Sequence, residues 1–463
     1  MTFPLYQEIP YADPLSVFAH FHRDYGSVFL DSSLSHETLG RYSYIAIDPF
    51  TIIKSKNGCV TSNDIILNGD PFAYLNEQLI HYTLVSLPDL PPFQGGFAGY
   101  FGYELYQHLE NIPFALQDDM NFPDMMLGMY DLIISFDNVL EKAFIVSSGF
   151  PEMDLSSRKQ RAKQRMAELL TRFNESGIQP KKFSALKKDD IKNHFTQQAY
   201  CEAVNKVVEY ISEGDIFQAN ISQRFTAEIP DDYCAFELYK QLRQINPSSF
   251  AAYLNFSTVK IISASPERFL KLQQGVVETR PIKGTRPRGK NIAEDKKIAK
   301  ELLASAKDNA ENVMIVDLMR NDLSRVCEPH SVKVTQLCGL ESFATVHHLV
   351  SVVRGKLKLN LNVIDLLRAT FPGGSITGAP KIRAMEIIAA LEPTQRGPYC
   401  GSVGFISWSG DMDTSIAIRT LAINNNAISY QVGGAIVADS NPDEEYQETL
   451  TKGKALVEAL THE

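Results

Sequence analysis

The alternation of apolar and polar positions divides the chain into stretches of different character. Up to about residue 150, short β-branched and aromatic runs such as Tyr42 to Ile47 and Leu132 to Phe136 sit between turn residues, so strands dominate the prediction. Gly95, Gly96, Gly99 and Gly102 punctuate the aromatic stretch from Gln94 to Tyr103, where the backbone is expected to pack closely against a neighbour. Between Asp154 and Asp190 lysine, arginine, glutamate and serine take over, with a helical pattern from Arg161 to Phe173. We read residues 151–195 as a connector between a β-rich region, 1–150, and a longer region, 196–460. The longer region opens on a helix from Thr196, where Tyr200, Val204, Val207, Val208 and Ile211 recur at helical spacing and Gly214 supplies the stop. A strand is predicted at Ile216 to Phe225, after which strands and helices interleave without a fixed repeat. The fold class is α+β.

Composition narrows the function classes. With 463 residues, 44% of them hydrophobic, the chain can bury a large core. Its 45 basic against 55 acidic residues give a net charge of −10, which argues against nucleic acid or an anionic membrane as the main partner. The six cysteines, Cys59, Cys201, Cys234, Cys327, Cys338 and Cys400, form no CxxC pair and no zinc spacing, and read as reduced thiols. The amino terminus carries no basic stretch followed by an apolar one, and no run of about 18 apolar residues occurs, so a cytoplasmic protein without a membrane segment is expected.

Several segments carry candidate chemistry. Ser263 to Leu270 and Glu278 to Thr285 flank a predicted hairpin with its turn at Gln274-Gly275, which would bring Glu267 close to Lys283. That pair is either an ion pair on a sheet or an acid beside a nucleophile. Lys283, between Pro281 and Gly284, lies in stiff, tight backbone where a desolvated amine becomes nucleophilic. Glu311 shares a helical face with Met314, Ile315, Leu318 and Asp322, and is either a buried ion-pair partner or a metal ligand. Asn441-Pro442-Asp443-Glu444 reads as a helix start, and Glu445 and Glu448 then share one face. Those two are a solvated helix face or, with Glu311, a carboxylate set suited to magnesium. The glycine-rich loop Phe371 to Lys381 fails the phosphate-loop spacing, because Ala379 and Pro380 follow Gly378 where lysine and serine or threonine are required. His347 and His348 precede an apolar strand, so one is expected to point inward and the other away, and Arg419 ends the alternating run Thr414 to Arg419, placed to clamp a carboxylate or pair with an acid.

Taken together these segments resemble the chorismate-binding family of anthranilate and aminodeoxychorismate synthases. The similarity runs from about Thr196 to Lys454 through Gly214 to Asn220, Ser265 to Phe269, Arg280 to Thr285, Glu311 to Asp322, His347 to Ser351, Phe371 to Lys381 and Gly433 to Glu448. A weaker similarity covers the first region through Phe29 to Ser33, Gly40 to Tyr44 and Pro92 to Gly96. The resemblance implies two β-rich sheets packed around a central cavity with helices outside. It implies chorismate as substrate and Mg2+ as cofactor, held by Glu311, Glu445 and Glu448, with Lys283, Glu267 and His348 as catalytic residues. Gly284, Thr285, Tyr399, Arg419, Gly433 and Gly434 match substrate-binding positions, although Ala435 stands where the family often has a third glycine. Pro281-Ile-Lys-Gly-Thr285 is similar to the aminodeoxychorismate branch, where anthranilate synthases carry alanine for lysine. That branch implies lysine attack on ring carbon 2, Glu267 assisting departure of the carbon 4 hydroxyl, then ammonia adding at carbon 4 to give 4-amino-4-deoxychorismate, the precursor of 4-aminobenzoate for folate. Ammonia would come from a separate glutamine amidotransferase subunit, since no such signature occurs in the chain. The family can also hold tryptophan, and Ser32, Arg41, Tyr42, Ser43, Ser249, Phe250 and Ala251 match that pocket. Anthranilate synthase component I, isochorismate synthase and a noncatalytic chorismate or tryptophan binding module are the competing readings.

Overall fold

A computed structural model describes residues 3–34, 39–173, 185–343 and 346–461. Two large sheets, 12 strands each, form its frame. The first runs from Leu5–Ile9 through Lys142–Ser147, Leu132–Asp137, Tyr42–Ala46 and Ser27–Asp31. It continues through Phe250–Phe256, Val259–Ser265, Thr420–Asn424, Ala427–Ile436 and Gln218–Glu228 to Lys192–Asn193. The second begins at Ile282–Pro287 and passes Val346–Lys356, Val276–Thr279, Arg268–Gln273, Met412–Ile416 and Ser402–Ser407. Gly96–Phe101, Met125–Tyr130, Thr51–Lys56, Cys59–Ser62 and Ile65–Asn68 follow, and each sheet has one more strand off this path, Gly378–Ala379 beside Gln218–Glu228 in the first and Lys333–Ser342 beside Val346–Lys356 in the second. Strands of the first 150 residues and of the longer region therefore share both sheets, joined where Ser27–Asp31 pairs with Phe250–Phe256 and Gly96–Phe101 with Ser402–Ser407.

Strand alternation builds the layers. Val28 points between the sheets with Leu254 and Tyr100, while its neighbour Phe29 points outward to Phe18 and Tyr239. Helices cover the outer faces: Leu155–Phe173, Ala235–Ile245 and Pro442–Thr461 bury Met166, Leu242 and Leu456 against the first sheet. Pro71–His81, Ala306–Ser324 and Val363–Thr370 bury Leu75, Ile315 and Leu367 in the core beyond the second. The result is the expected α+β architecture with helices outside.

Local signals were well marked. The Thr196 side chain accepts the Ala199 amide and caps the helix Gln197–Ser212, and Asn441 accepts the amides of Asp443 and Glu444 to start Pro442–Thr461. The predicted turn is present, with Gln274 and Gly275 at φ 51 and 77 between Arg268–Gln273 and Val276–Thr279. Four expectations shift. The connector helix starts at Leu155 rather than Arg161, and the strand read from Ile216 runs Gln218–Glu228. The strand expected to end on Arg419 stops at Ile416, because Arg419 adopts φ 52, a left-handed turn that a ladder does not admit. Lys283 does not lie across a hairpin from Glu267: its strand pairs with Val346–Lys356, so long-range pairing overrides the local fold-back.

All six cysteines are free thiols, and among the described residues no helix is long and apolar enough to cross a membrane. The aromatic glycine stretch packs closely against its neighbours as expected, and Gly96–Phe101 within it forms a central strand. A Cβ on Gly96, at φ 150, would lie 2.1 Å from the Ile406 carbonyl oxygen, which belongs to the neighbouring strand and cannot rotate away. Gly96→Ala is therefore expected to lower stability by about 3 kcal/mol or more, read from the urea unfolding midpoint of variant against parent.

Candidate active site

Lys283 and Glu267 meet through a third residue. The Lys283 ammonium donates to the main-chain oxygen of Ser375 at 3.3 Å, and the Ser375 hydroxyl faces the Glu267 carboxyl, where it favours the charged form. Glu267 is 6% exposed, and burial pushes its carboxyl up to about 7 against the weaker opposing pulls of Ser375, Lys283 and the Ile282 amide. Burial also lowers the Lys283 amine, although Glu311 and Glu267 pull the other way. Desolvation thus drives acid and amine toward their neutral forms, the forms needed for a proton donor and a nucleophile.

The residues around them come from distant elements. A bulge in Ile282–Pro287 lies between Lys283 and Thr285, and Gly284 there has φ 79 with no room for a side chain, since a Cβ would stand 3.0 Å from Asp308. Thr285 Oγ1 is 2.8 Å from His348 Nδ1. The histidines do not divide as expected. Both lie inside Val346–Lys356 and both are buried, because the strand is covered on its two faces: His347 contacts Ser342 and Asp295, His348 contacts Thr285. Burial holds the His348 imidazole down at about 4, helped by Arg419 and His347.

Opposite them lie the carboxylates. Glu311 is half-buried on Ala306–Ser324, whose fully buried stripe runs through Asn312, Ile315, Met319 and Asp322 rather than through Met314 and Leu318. Burial raises the Glu311 carboxyl, and Lys283 is the first charge to oppose it. A Cβ on Gly434 would stand 3.1 Å from Glu445 Oε2 and 3.7 Å from Glu448 Oε1, so Glu445 and Glu448 converge on that glycine. Lys452 bonds Glu448 Oε1 at 2.6 Å and the Gly433 oxygen at 2.9 Å, and its own carbonyl accepts from Arg419. Glu448 is held below its usual value, because Lys452 outweighs burial, whereas Glu445 is raised by burial. Among the described residues no group of three His, Cys, Asp or Glu closes on a common point. The donors are nonetheless all hard carboxylate oxygens, Glu445 and Glu448 meeting beside Gly434, and Lys452 already places one cation on Glu448. This set fits a hard divalent ion whose remaining ligands are substrate oxygens and water.

Tyr399 is buried in the same neighbourhood, with its ring centroid 5.8 Å from the Arg396 guanidinium. Arg396 and Glu392 form a buried pair at 2.7 Å. Arg396 also donates to the oxygens of Ile376 and Asn220, and Glu392 accepts from the Ser222 amide and hydroxyl. Sequence reading missed Ser375, Arg396, Glu392 and Lys452. Only Ser375 carried a signal, a polar residue directly after the glycine pair of the loop; the others sit at ordinary helix or loop positions.

A separate cavity of about 640 Å3 lies between the sheets, away from Lys283. Ser32, Arg41, Tyr42, Ser249, Phe250 and Ala251 line it as the pocket prediction grouped them. Ser43 does not. Its buried hydroxyl accepts from the Ser32 amide and from Asn138 behind the wall. Among the described residues, one carboxylate oxygen of Asp31 and the Nε of Arg280, both fully buried, have no hydrogen-bond partner.

Known proteins share this fold. The chorismate binding enzyme family matches residues 29–458. The chain is 36% identical to anthranilate synthase component 1 of Acetivibrio thermocellus, covering 99% of this chain and 95% of that one. It is 39% identical to aminodeoxychorismate synthase component 1 of Salmonella typhimurium, covering 94% and 93%. The solved structure of anthranilate synthase component I from Streptococcus pneumoniae superposes with a TM-score of 0.79 at 36% identity, over 90% of this chain and 92% of that one.

The buried His348 makes stability depend on pH in a stated direction. Its folded value of about 4 lies below the unfolded 6.5, so the unfolded chain binds the extra proton between those limits. The His348 contribution to stability is present above pH 6.5 and lost as pH falls toward 4. His348→Gln is expected to flatten that part of the pH dependence, measured as urea midpoints at successive pH values.

Proposed function

The chain belongs to the chorismate-binding enzyme family, and within it we propose that the protein is component I of an aminodeoxychorismate synthase. The observation that carries this reading is Lys283, a half-buried lysine whose amine is lowered by desolvation and which is joined through Ser375 to a buried acid. A structural lysine has no need of that surrounding, and an anthranilate synthase, which aminates carbon 2 itself, has no need of an amine there.

In the proposed reaction Lys283 Nζ attacks carbon 2 of chorismate. The two ring double bonds shift, the carbon 4 to oxygen bond breaks, and the Glu267 proton leaves with that oxygen as water. Ammonia from a glutamine amidotransferase partner then adds at carbon 4. The double bonds return, the bond from carbon 2 to Lys283 breaks, and 4-amino-4-deoxychorismate results, the precursor of 4-aminobenzoate for folate. Arg419, Tyr399, Thr285 and the amides of Gly433 and Gly434 hold the substrate carboxylates, with neutral His348 fixing Thr285 through its hydroxyl. Glu311, Glu445 and Glu448 would hold Mg2+, which offsets the negative charge of the ring carboxylate and orients it. On this reading the protein works in the cytoplasm as one half of a heterodimer.

The test is product identity. Purified chain with chorismate, magnesium and ammonium at mildly alkaline pH is expected to yield aminodeoxychorismate without pyruvate, read by chromatography with mass detection; anthranilate with pyruvate would assign the rival activity. Lys283→Ala is expected to lose roughly 100-fold or more of that synthesis while still binding chorismate, and undiminished synthesis would sink the covalent route.

For the inter-sheet cavity we propose tryptophan as the ligand. Its lining offers carboxylates and guanidinium groups, Glu278 and Arg268 among them, for the two ends of a zwitterion, and the rings of Tyr42, Tyr44 and Phe250 for an indole. Tryptophan at about 100 times its dissociation constant is expected to stabilise the fold by about 2.7 kcal/mol, seen as a raised melting temperature, whereas an unchanged melting temperature would remove it from the cavity.

A further inference from the structure

We propose that Ser375 is a positioning residue for the reaction, one residue that holds acid and nucleophile in fixed register with its hydroxyl on Glu267 and its main-chain oxygen on Lys283. The inference rests on the function proposed above. Ser375 itself is 6% exposed and sits in the short turn Gly374–Ile376. That turn has little freedom. The Thr377 hydroxyl donates to the Gly373 oxygen at 3.0 Å, and Arg396 donates to the Ile376 oxygen at 3.1 Å. Lys381 donates to the oxygens of Thr370 and Pro372 at 2.9 Å each, and is anchored by Asp322 at 2.6 Å. Behind the turn, a Cβ on Gly374 would strike Met319 and Leu318 of Ala306–Ser324, the helix that carries Glu311. The turn is therefore seated directly on the element bearing the carboxylate nearest in charge to Lys283.

The chemistry asks for such a residue. Starting from an ion pair, attack requires one proton to move from the Lys283 amine to the Glu267 carboxyl, leaving a neutral amine and a carboxylic acid. A carbonyl oxygen accepts an N–H from either form of the amine and leaves the nitrogen lone pair for carbon. A serine hydroxyl donates to a carboxylate and accepts from a carboxylic acid, so it stays bonded to Glu267 in both states. Glu267 is faced by Lys283 and Cys400; Lys283 is faced by Glu267, Glu311, Glu448 and Lys452. No charged group among these does both tasks, whereas Ser375 touches both reacting side chains from one rigid turn.

The experiment measures kcat and KM for chorismate across pH, in the full chain supplied with magnesium and ammonium, for Ser375→Ala, Ser375→Cys and Ser375→Thr. Ser375→Ala and Ser375→Cys are expected to lose roughly 10- to 100-fold in kcat with KM held within about 3-fold. The inflection near pH 7 should move to higher pH, because the hydroxyl bond that favours the carboxylate is gone. Ser375→Thr, which keeps a hydroxyl, should restore both, and thermal unfolding of each variant shows whether a loss is one of fold. Unchanged kcat with an unmoved inflection in Ser375→Ala overturns the proposal, as does a loss confined to KM, which would make Ser375 a substrate contact. These are ratios of variant to parent and hold for whichever chorismate product forms, so the identity of the parent's product tests the proposed function separately.

Discussion

Withdrawing an amine and a carboxyl from water within one site is the constraint on which the rest of the site depends. Away from water each group resists its charge, so Glu267 rises to about 7 and Lys283 falls. Both shifts are lost if water enters, and each group's charge restrains the other's shift, so their separation tunes how far both go. Lys283 and Glu267 come from the flanks of two strands that do not pair with one another, and their separation is set by the Ser375 turn. The fold must therefore fix that turn from outside.

It does so with buried ion pairs whose charges are fully used. Arg396 spends its guanidinium on Glu392 and on two main-chain oxygens, Ile376 beside Ser375 and Asn220 on the strand paired with Gly433 and Gly434. Glu392 returns the tie by accepting from Ser222. Glu104 accepts the amides of Arg396 and Gly397 and so anchors the approach to Tyr399. Pairs of this kind contribute little net stability, because desolvation cancels much of their attraction, yet removing one partner leaves a buried charge alone. Their value here is positional: one arginine ties the acid's turn, the glycine strand and the Tyr399 loop to a common point.

Much of this was legible because it is local. Thr196, Asn441 and the Gln274-Gly275 turn act within a few residues of themselves, and each lies where its chemistry predicted. The crowded glycines were legible too, since only a close neighbour explains four of them in an aromatic strand. What failed was long-range. That Ile282–Pro287 pairs with Val346–Lys356 is decided by residues some 60 positions away, and no alternation pattern encodes it. The histidines misled for the same reason: a strand reads as one-sided until the helices that cover its second face are known. The cavity and the role of Ser375 depend on three or more segments meeting, which periodicity along one segment does not reveal.

The scaffold residues also bear on how one frame serves different reactions. Relatives named for anthranilate and for aminodeoxychorismate synthesis lie at 36% and 39% identity to this chain, nearly equidistant. The pairs that hold the turn, Lys381 with Asp322 and Arg396 with Glu392, contact main-chain oxygens and are indifferent to what stands at position 283. A side chain at that position projects into space already shaped and desolvated by others, so exchanging it alters which atom attacks without altering the frame. On that argument overall similarity is a poor guide to the reaction, and the chemistry of one side chain in a dry site outweighs it.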